Sequence, residues 1–365
     1  MPAEAPARPV IDFRKNCFDL IRLLAACQVV FGHSVAHLQL PLSGTMDFIG
    51  NVSNCFPGVP IFFVISGMLI ARSYRNKTSL SQYVANRLLR IYPALWAAFL
   101  FAVLLITCFG YWPQSGVTTR SFVIWMVSQT TIFQQYNPSF LRGFGVGVIN
   151  GALWTISVEL QFYIFLPVLI WVIDHIKFRV ACLVVIIAAS YLIGLWTVRN
   201  QPAVALHQHH RFSEYVDLTI APYLYMFLMG VLIEENFAKI LPYLKGRALI
   251  LLAAYLMICF VCRNRIVIGT NHPNIFPMIV LALFVVSLAY SFENVSRRLL
   301  HDNDVSYGVY LYHLLVINAF VQLGWMRSYA LIPAVYVLVF LVAGLSWFFI
   351  EKKCLKLKTK SLKPR

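Results

Sequence analysis

Charge is what this chain has least of. Asp, Glu, Lys and Arg together supply 12% of its 365 residues, while 60% are hydrophobic. A soluble domain of ordinary composition is about a quarter charged, so lipid must be the solvent for most of this chain. Acidic residues are scarcest, 14 against 30 Lys and Arg, for a formal net charge of +16. The basic residues recur between apolar runs and gather into no patch. That pattern suits membrane topology and anionic headgroups and speaks against a nucleic-acid partner. Cys259-x-x-Cys262 has only apolar neighbours, with no second pair or nearby histidine to complete a metal site. The eight cysteines therefore read as small core hydrophobes. No internal repeat is visible, and no stretch between apolar runs is long enough for a soluble domain. The Pro- and Ala-rich start, "MPAEAPARPVIDFRKN", has no small-residue cleavage site after the first apolar run. That run is expected to remain as an uncleaved signal anchor.

A membrane-spanning helix needs about 20 apolar residues. Ten such runs lie near 18–38, 56–72, 91–110, 151–173, 180–198, 218–234, 247–263, 275–292, 305–323 and 330–350. The stretch "SFVIWMVSQTTIFQQY" (121–136) is amphipathic and interrupted by polar residues, and reads as re-entrant or interfacial. With the N-terminus cytoplasmic, 22 of the 30 Lys and Arg fall inside, 7 outside, and Arg22 within a span. A spanning 121–136 would instead turn the basic tail "EKKCLKLKTKSLKPR" outward, against the positive-inside rule. The expected architecture is an all-α polytopic membrane protein of about ten transmembrane helices, both termini cytoplasmic. A tail of 1–17, one transmembrane domain of 18–350 and a basic tail of 351–365 follow from it, in a bacterial inner membrane.

The first span, "FDLIRLLAACQVVFGHSVAHL", carries Asp19, Arg22, His33 and His37. Arg22 and His33 are eleven residues apart, almost three helical turns, and so share a face with His33 roughly 16 Å farther along the axis. Asp19, Arg22 and His37 can pair or snorkel at the helix ends, but His33 is too deep for that. Glu159 and Gln161 stand inside "GALWTISVELQFYIFLPVL", and His313 stands mid-span with Tyr307 and Tyr310 to its cytoplasmic side. These are either functional groups or interhelical hydrogen bonds that hold the bundle. Ser66 and Gly67 are small enough to admit a close helix or ligand. Arg87 and Arg90, one turn apart at the inner face, are either a solvated pair or an anion clamp. In the outer loop "HQHHRFSEYVD" (207–217), histidines and aromatics are a candidate contact region or a plain hydrated loop.

Arg22 with His33, "GVPIFFVISG", "RLLRIYP", "LWTISVELQFYIFLP", "SYGVYLYH" and "WFFIEKK", in that order, resemble the acyltransferase-3 family of membrane O-acyltransferases. The resemblance covers nearly the whole chain and fits the family's stand-alone type. It implies acyl transfer, usually of acetyl, from cytoplasmic acyl-CoA to a hydroxyl of an extracytoplasmic saccharide or glycolipid. By position, His33 matches the family's essential histidine, Arg22, Arg87 and Arg90 its arginines, and Glu159 the glutamate of its Trp-x(4)-Glu element. Pro60 stands where many members have Asp, and Lys353 where a Pro often follows Glu-Lys, which leaves subfamily and acceptor open.

The chemistry agrees with the layout. Acyl transfer from a thioester needs a base for the acceptor hydroxyl, and neutral histidine suits it near pH 7. Catalytic roles are expected of His33 and Glu159, the latter orienting or charge-stabilising the histidine. Substrate contacts are expected of Asp19, Arg22, Arg87, Arg90, Ser66, Tyr307, Tyr310 and His313. No tightly bound cofactor and no metal are expected; acetyl-CoA or another acyl-CoA is the donor substrate. A polytopic transporter or flippase is the rival class, since buried Arg, His and Glu also mark ion-coupled transport.

Overall fold

A computed structural model describes residues 13, 15–77, 79–200, 212–262, 267–269 and 271–360. The described chain is helical almost throughout. The first half holds α1 (Phe18–His37), α2 (Thr45–Cys55), α3 (Gly58–Arg75), α4 (Leu80–Cys108), α5 (Thr119–Thr130), α6 (Trp154–Asp174) and α7 (Arg179–Arg199). Then come α8 (Phe212–Asp217), α9 (Leu224–Glu235), α10 (Phe237–Leu244) and α11 (Ala248–Cys262). A short antiparallel pair follows, β1 (Val267–Gly269) with β2 (His272–Pro273). The chain continues through α12 (Ile275–Ser291), α13 (Val295–Leu300), α14 (Ser306–Gln322), α15 (Leu331–Ser346), a π-helical turn (Trp347–Glu351) and α16 (Lys352–Lys360).

A helix stands at each of the ten expected spans, but among the described residues six stretches are long and apolar enough to cross a membrane. They are Phe18–His37, Thr45–Arg75, Leu80–Cys108, Gly151–Asp174, Arg179–Arg199 and Leu331–Leu357; Phe237–Leu244 with Ala248–Val261, bent by 85°, adds a seventh if counted as one. Length thus supports fewer spans than the ten expected. The shortfall has a physical reason at α9, whose 12 residues rise only about 18 Å against a hydrocarbon core of about 30 Å. Every residue from Leu224 to Val231 is buried, and a helix jacketed by protein need not match the bilayer.

The close fit of α9 to α3 depends on glycine. A Cβ on Gly67 would lie 2.0 Å from the Phe227 carbonyl oxygen, and one on Gly230 would lie 2.1 Å from that of Val64. Backbone touches backbone there, as small residues permit between membrane helices. Near the ends of the same helices, Arg72 donates to Glu234 at 2.9 Å, and Arg75 reaches Asp174 at 2.5 and 2.8 Å and Glu235 at 2.8 Å. That ties α3, α6 and α9 together.

α5 starts on a Thr118–Ser121 capping box and ends at Thr130. Trp125 is fully buried against Phe99 of α4, ring centroids 4.9 Å apart. The irregular chain after α5 folds onto α14. Backbone amides of Gly145 and Val146 donate to Gln322 and Asn318, and the Asn150 side chain donates to the Leu311 carbonyl, each at 2.8 Å. Gly145 has φ +55°, and a Cβ there would sit 2.0 Å from Asn318 Oδ1. Irregular backbone is thus satisfied by protein groups rather than left to lipid.

Candidate active site

α1 and α14 lie side by side and run in the same direction. Three contacts mark successive heights: Arg22 Nη1 donates to Asp304 Oδ2 at 2.9 Å, His33 Nδ1 lies 2.7 Å from His313 Nε2, and the Arg327 amide donates to the Leu38 carbonyl at 2.8 Å. The helical spacing that puts Arg22 and His33 on one face therefore aims both at one neighbour.

The upper contact joins two imidazoles whose planes differ by only 15°, centroids 5.0 Å apart. His313 is fully buried and its Nδ1 lies 2.5 Å from the Tyr310 carbonyl oxygen. His33 is half-buried, and His37, one turn outward, has its ring 5.5 Å from that of His33. Glu159, expected to orient or charge-stabilise His33, makes no hydrogen bond to it among the described residues. Glu159 Oε1 instead accepts from the Ser66 hydroxyl at 3.0 Å and the Tyr163 hydroxyl at 2.8 Å. The histidine's partner comes from α14 because parallel packing at Arg22–Asp304 carries His313 to the same height. His313, expected to contact substrate, is sealed behind His33 and Tyr310 and presents no surface to a ligand.

A cavity of about 420 Å³, counting its open mouth, runs between α1, α3, α6 and α14. Arg22, Ser66, Glu159, Tyr307 and Tyr310, all singled out from the sequence, line it together with Phe62 and others. Tyr310 links the cavity to the histidine pair. Its ring is cavity wall, its hydroxyl lies 2.7 Å from Thr155 Oγ1, and its carbonyl faces His313. Tyr307 is fixed by a hydrogen bond to the Ile91 carbonyl at 3.2 Å. Gln161 is not part of this wall: it braces the turn after α8 through Leu218 and Ile220.

Below the cavity, Arg90 of α4 joins Arg22 on the same Asp304 oxygen, and Asp304 Oδ1 accepts from the backbone amide (3.2 Å) and hydroxyl of Ser306. Asp19 stands 3.9 Å from Arg22. Burial alone would raise the Asp304 carboxyl, but the Arg22 and Arg90 guanidiniums outweigh it and hold it below the usual carboxylate range. Arg87 goes elsewhere, donating to Ser73 Oγ at 2.9 Å with its guanidinium 5.7 Å from the Tyr163 ring. Its buried Nε has no partner among the described residues. Arg87 and Arg90 therefore form no joint fork: one is bound to a carboxylate, the other retains an unused donor.

Asp304 was missed by sequence reasoning, which treats a loop carboxylate at a membrane face as hydrated. An Asp two residues before a Ser that opens a span is the turn signal that was there to find. Glu351 was missed likewise. It is buried in the π-helical turn and accepts from Ser346 Oγ at 3.0 Å. His207, His209 and His210 lie outside the described residues.

The family described as "Acyltransferase domain" matches residues 15–351. The chain belongs to the acyltransferase-3 family. Nodulation protein 10 of Rhizobium leguminosarum bv. viciae is 34% identical over 358 residues, which span 94% of each chain. An O-acetyl transferase of Shigella phage Sf6 is 34% identical over 190 residues, 50% of this chain and 53% of that one. No solved structure matches the chain. This acyltransferase-3 member is thus a multi-pass membrane protein of an acyl-transferring family.

Proposed function

We propose that the protein is an O-acetyltransferase that takes an acyl group, acetyl in the first instance, from acyl-CoA on the cytoplasmic side of a bacterial inner membrane. The acceptor is a hydroxyl of a saccharide or glycolipid on the opposite side, and His33 is the general base. The observation that carries this reading is the stacking by depth of arginines, cavity and histidine pair. The phage relative's name, O-acetyl transferase, supports oxygen as the acceptor atom.

Arg22, Arg90 and Arg87 supply positive charge where a CoA phosphate would arrive, with Asp19 at the edge of that cluster. The cavity takes the thioester arm, whose amide N–H groups can donate to Glu159. Tyr307, Tyr310 and Ser66 shape the passage. The acceptor hydroxyl gives its proton to His33 while its oxygen forms the new ester bond, and the thiolate that leaves takes the proton back. No resident cofactor enters the scheme.

The sidedness rests on the Lys and Arg count of the loops, and the ten-span arrangement agrees with the parallel helices. Parallel α1 and α14 require an odd number of crossings between them, and α3, α4, α6, α7, α9, α11 and α12 supply seven in the ten-span arrangement with both termini cytoplasmic. Purified protein given acetyl-CoA in detergent should release CoA thiol and acetate, with water in the acceptor's place, and His33→Ala should slow that release by about 10²–10⁴-fold. A wild-type protein that leaves acetyl-CoA intact contradicts the reading and favours a transporter or flippase.

A further inference from the structure

We propose that His313 is the positioning residue that makes His33 a base: it dictates which nitrogen of His33 is free, and it takes up the other nitrogen's proton during transfer. The inference rests on the reading of His33 as general base.

A backbone carbonyl can only accept. The Tyr310 carbonyl, 2.5 Å from His313 Nδ1, therefore requires a proton on that nitrogen. A neutral His313 then carries its lone pair on Nε2, the atom 2.7 Å from His33 Nδ1. His33 Nδ1 must donate, which leaves the lone pair of His33 on Nε2. That nitrogen has no hydrogen-bond partner among the described residues. One main-chain oxygen thus sets two tautomers in series and leaves a single basic nitrogen, on the more exposed ring. The assignment follows from the acceptor-only character of the carbonyl, whatever hydrogens are drawn.

The proton movement balances. The acceptor O–H proton passes to His33 Nε2 as the hydroxyl oxygen bonds to the thioester carbon. The His33 Nδ1 proton passes to His313 Nε2. His313 then holds one positive charge, donating to the Tyr310 carbonyl and to His33 Nδ1. Reversal of both shifts delivers the proton to the departing CoA sulfur, so the net change is one proton moved from hydroxyl to thiol. A proton already on the pair before substrate binds would fill the free Nε2, so only the neutral pair is competent. The titratable side chains facing the pair are His37 from α1 and Tyr310 from α14, while Phe62 of α3 and Thr155 of α6 near Tyr310 do not titrate. Glu159 stands farther along the cavity wall.

The alternative is that His313 merely fills space. His313→Gln and His313→Leu separate the two roles, because a Gln oxygen can accept from His33 Nδ1 but cannot take its proton, and Leu can do neither. His313→Leu is expected to lower kcat almost as far as His33→Ala, by about 10²-fold or more, with KM for acetyl-CoA unchanged. His313→Gln should recover part of that loss. The acid limb of its kcat profile should move to lower pH, because one proton is no longer shared between two rings. Melting in detergent would check that both variants are folded. The inference is overturned if folded His313→Leu stays within a few-fold of wild type, or if Gln and Leu are equally impaired with wild-type pH profiles. An inactive His33→Ala beside an active His313→Leu sinks only this inference; an active His33→Ala sinks the base reading and this with it.

Discussion

The two ends of the α1–α14 contact solve opposite problems. At the inner end two guanidiniums converge on one carboxylate, and Asp304 is held on both oxygens. At the outer end two imidazoles meet, and the chain of hydrogen bonds ends at His33 Nε2. On the proposed mechanism the closed end holds fixed charge and position, and the open end keeps a lone pair for a substrate. On that mechanism the same pair of helices separates holding from reacting by roughly 16 Å.

Breaking the closed end should have the largest effect on the fold. Asp304→Asn leaves Arg22 and Arg90 as adjacent, partly buried cations without their carboxylate, and removal of one partner from a buried ion pair costs up to about 3–5 kcal/mol. A large drop in melting temperature in detergent would check this. The wild-type contribution has a pH signature. Because the folded carboxyl titrates below its ordinary value, its stabilisation is complete above about pH 4 and is lost as pH falls toward the lower folded value. Asp304→Asn should lack that acid-dependent loss.

A smaller effect should come from the arginine outside the closed cluster. Arg87→Lys keeps the charge but loses the planar fork and the unused Nε donor. We expect acetyl-CoA binding weaker by about tenfold, the worth of one charge-assisted hydrogen bond, with unchanged membrane orientation. Wild-type binding would show that Arg87 only braces Ser73. Smallest of all should be His37→Ala. His37 lies one turn beyond the open end and, among the described residues, makes ring contact with His33, so its removal should change transfer far less than His33→Ala; an equal loss would move the reacting centre outward.

Half of this contrast could be read from the chain. The eleven-residue spacing of Arg22 and His33 is a local property of one helix, and so is the intramembrane depth of Glu159. Which helix faces them is not local. His33 meets His313 and Glu159 meets Ser66 because of interhelical register, which no single segment encodes; the bond from Tyr163 to Glu159, one turn along α6, is local. Gly67 bears this out: it reads as a permissive small residue, yet its meeting with Gly230 of α9, which no sequence signal marked, sets how closely α3 and α9 approach. The ten apolar runs mark helices at the right places. Their lengths mislead at α9, since an apolar run reports burial and does not say whether lipid or protein does the burying.

On the proposed mechanism the acyl group crosses between donor and acceptor sides. Sealed everted membrane vesicles, with orientation fixed by labelling of Ser43→Cys, would receive labelled acetyl-CoA on the outer, formerly cytoplasmic, face only. Label should accumulate on saccharide protected inside the vesicles, and His33→Ala should abolish it. Label that appears only when donor and acceptor share one face would rule out a crossing, even with His33 essential.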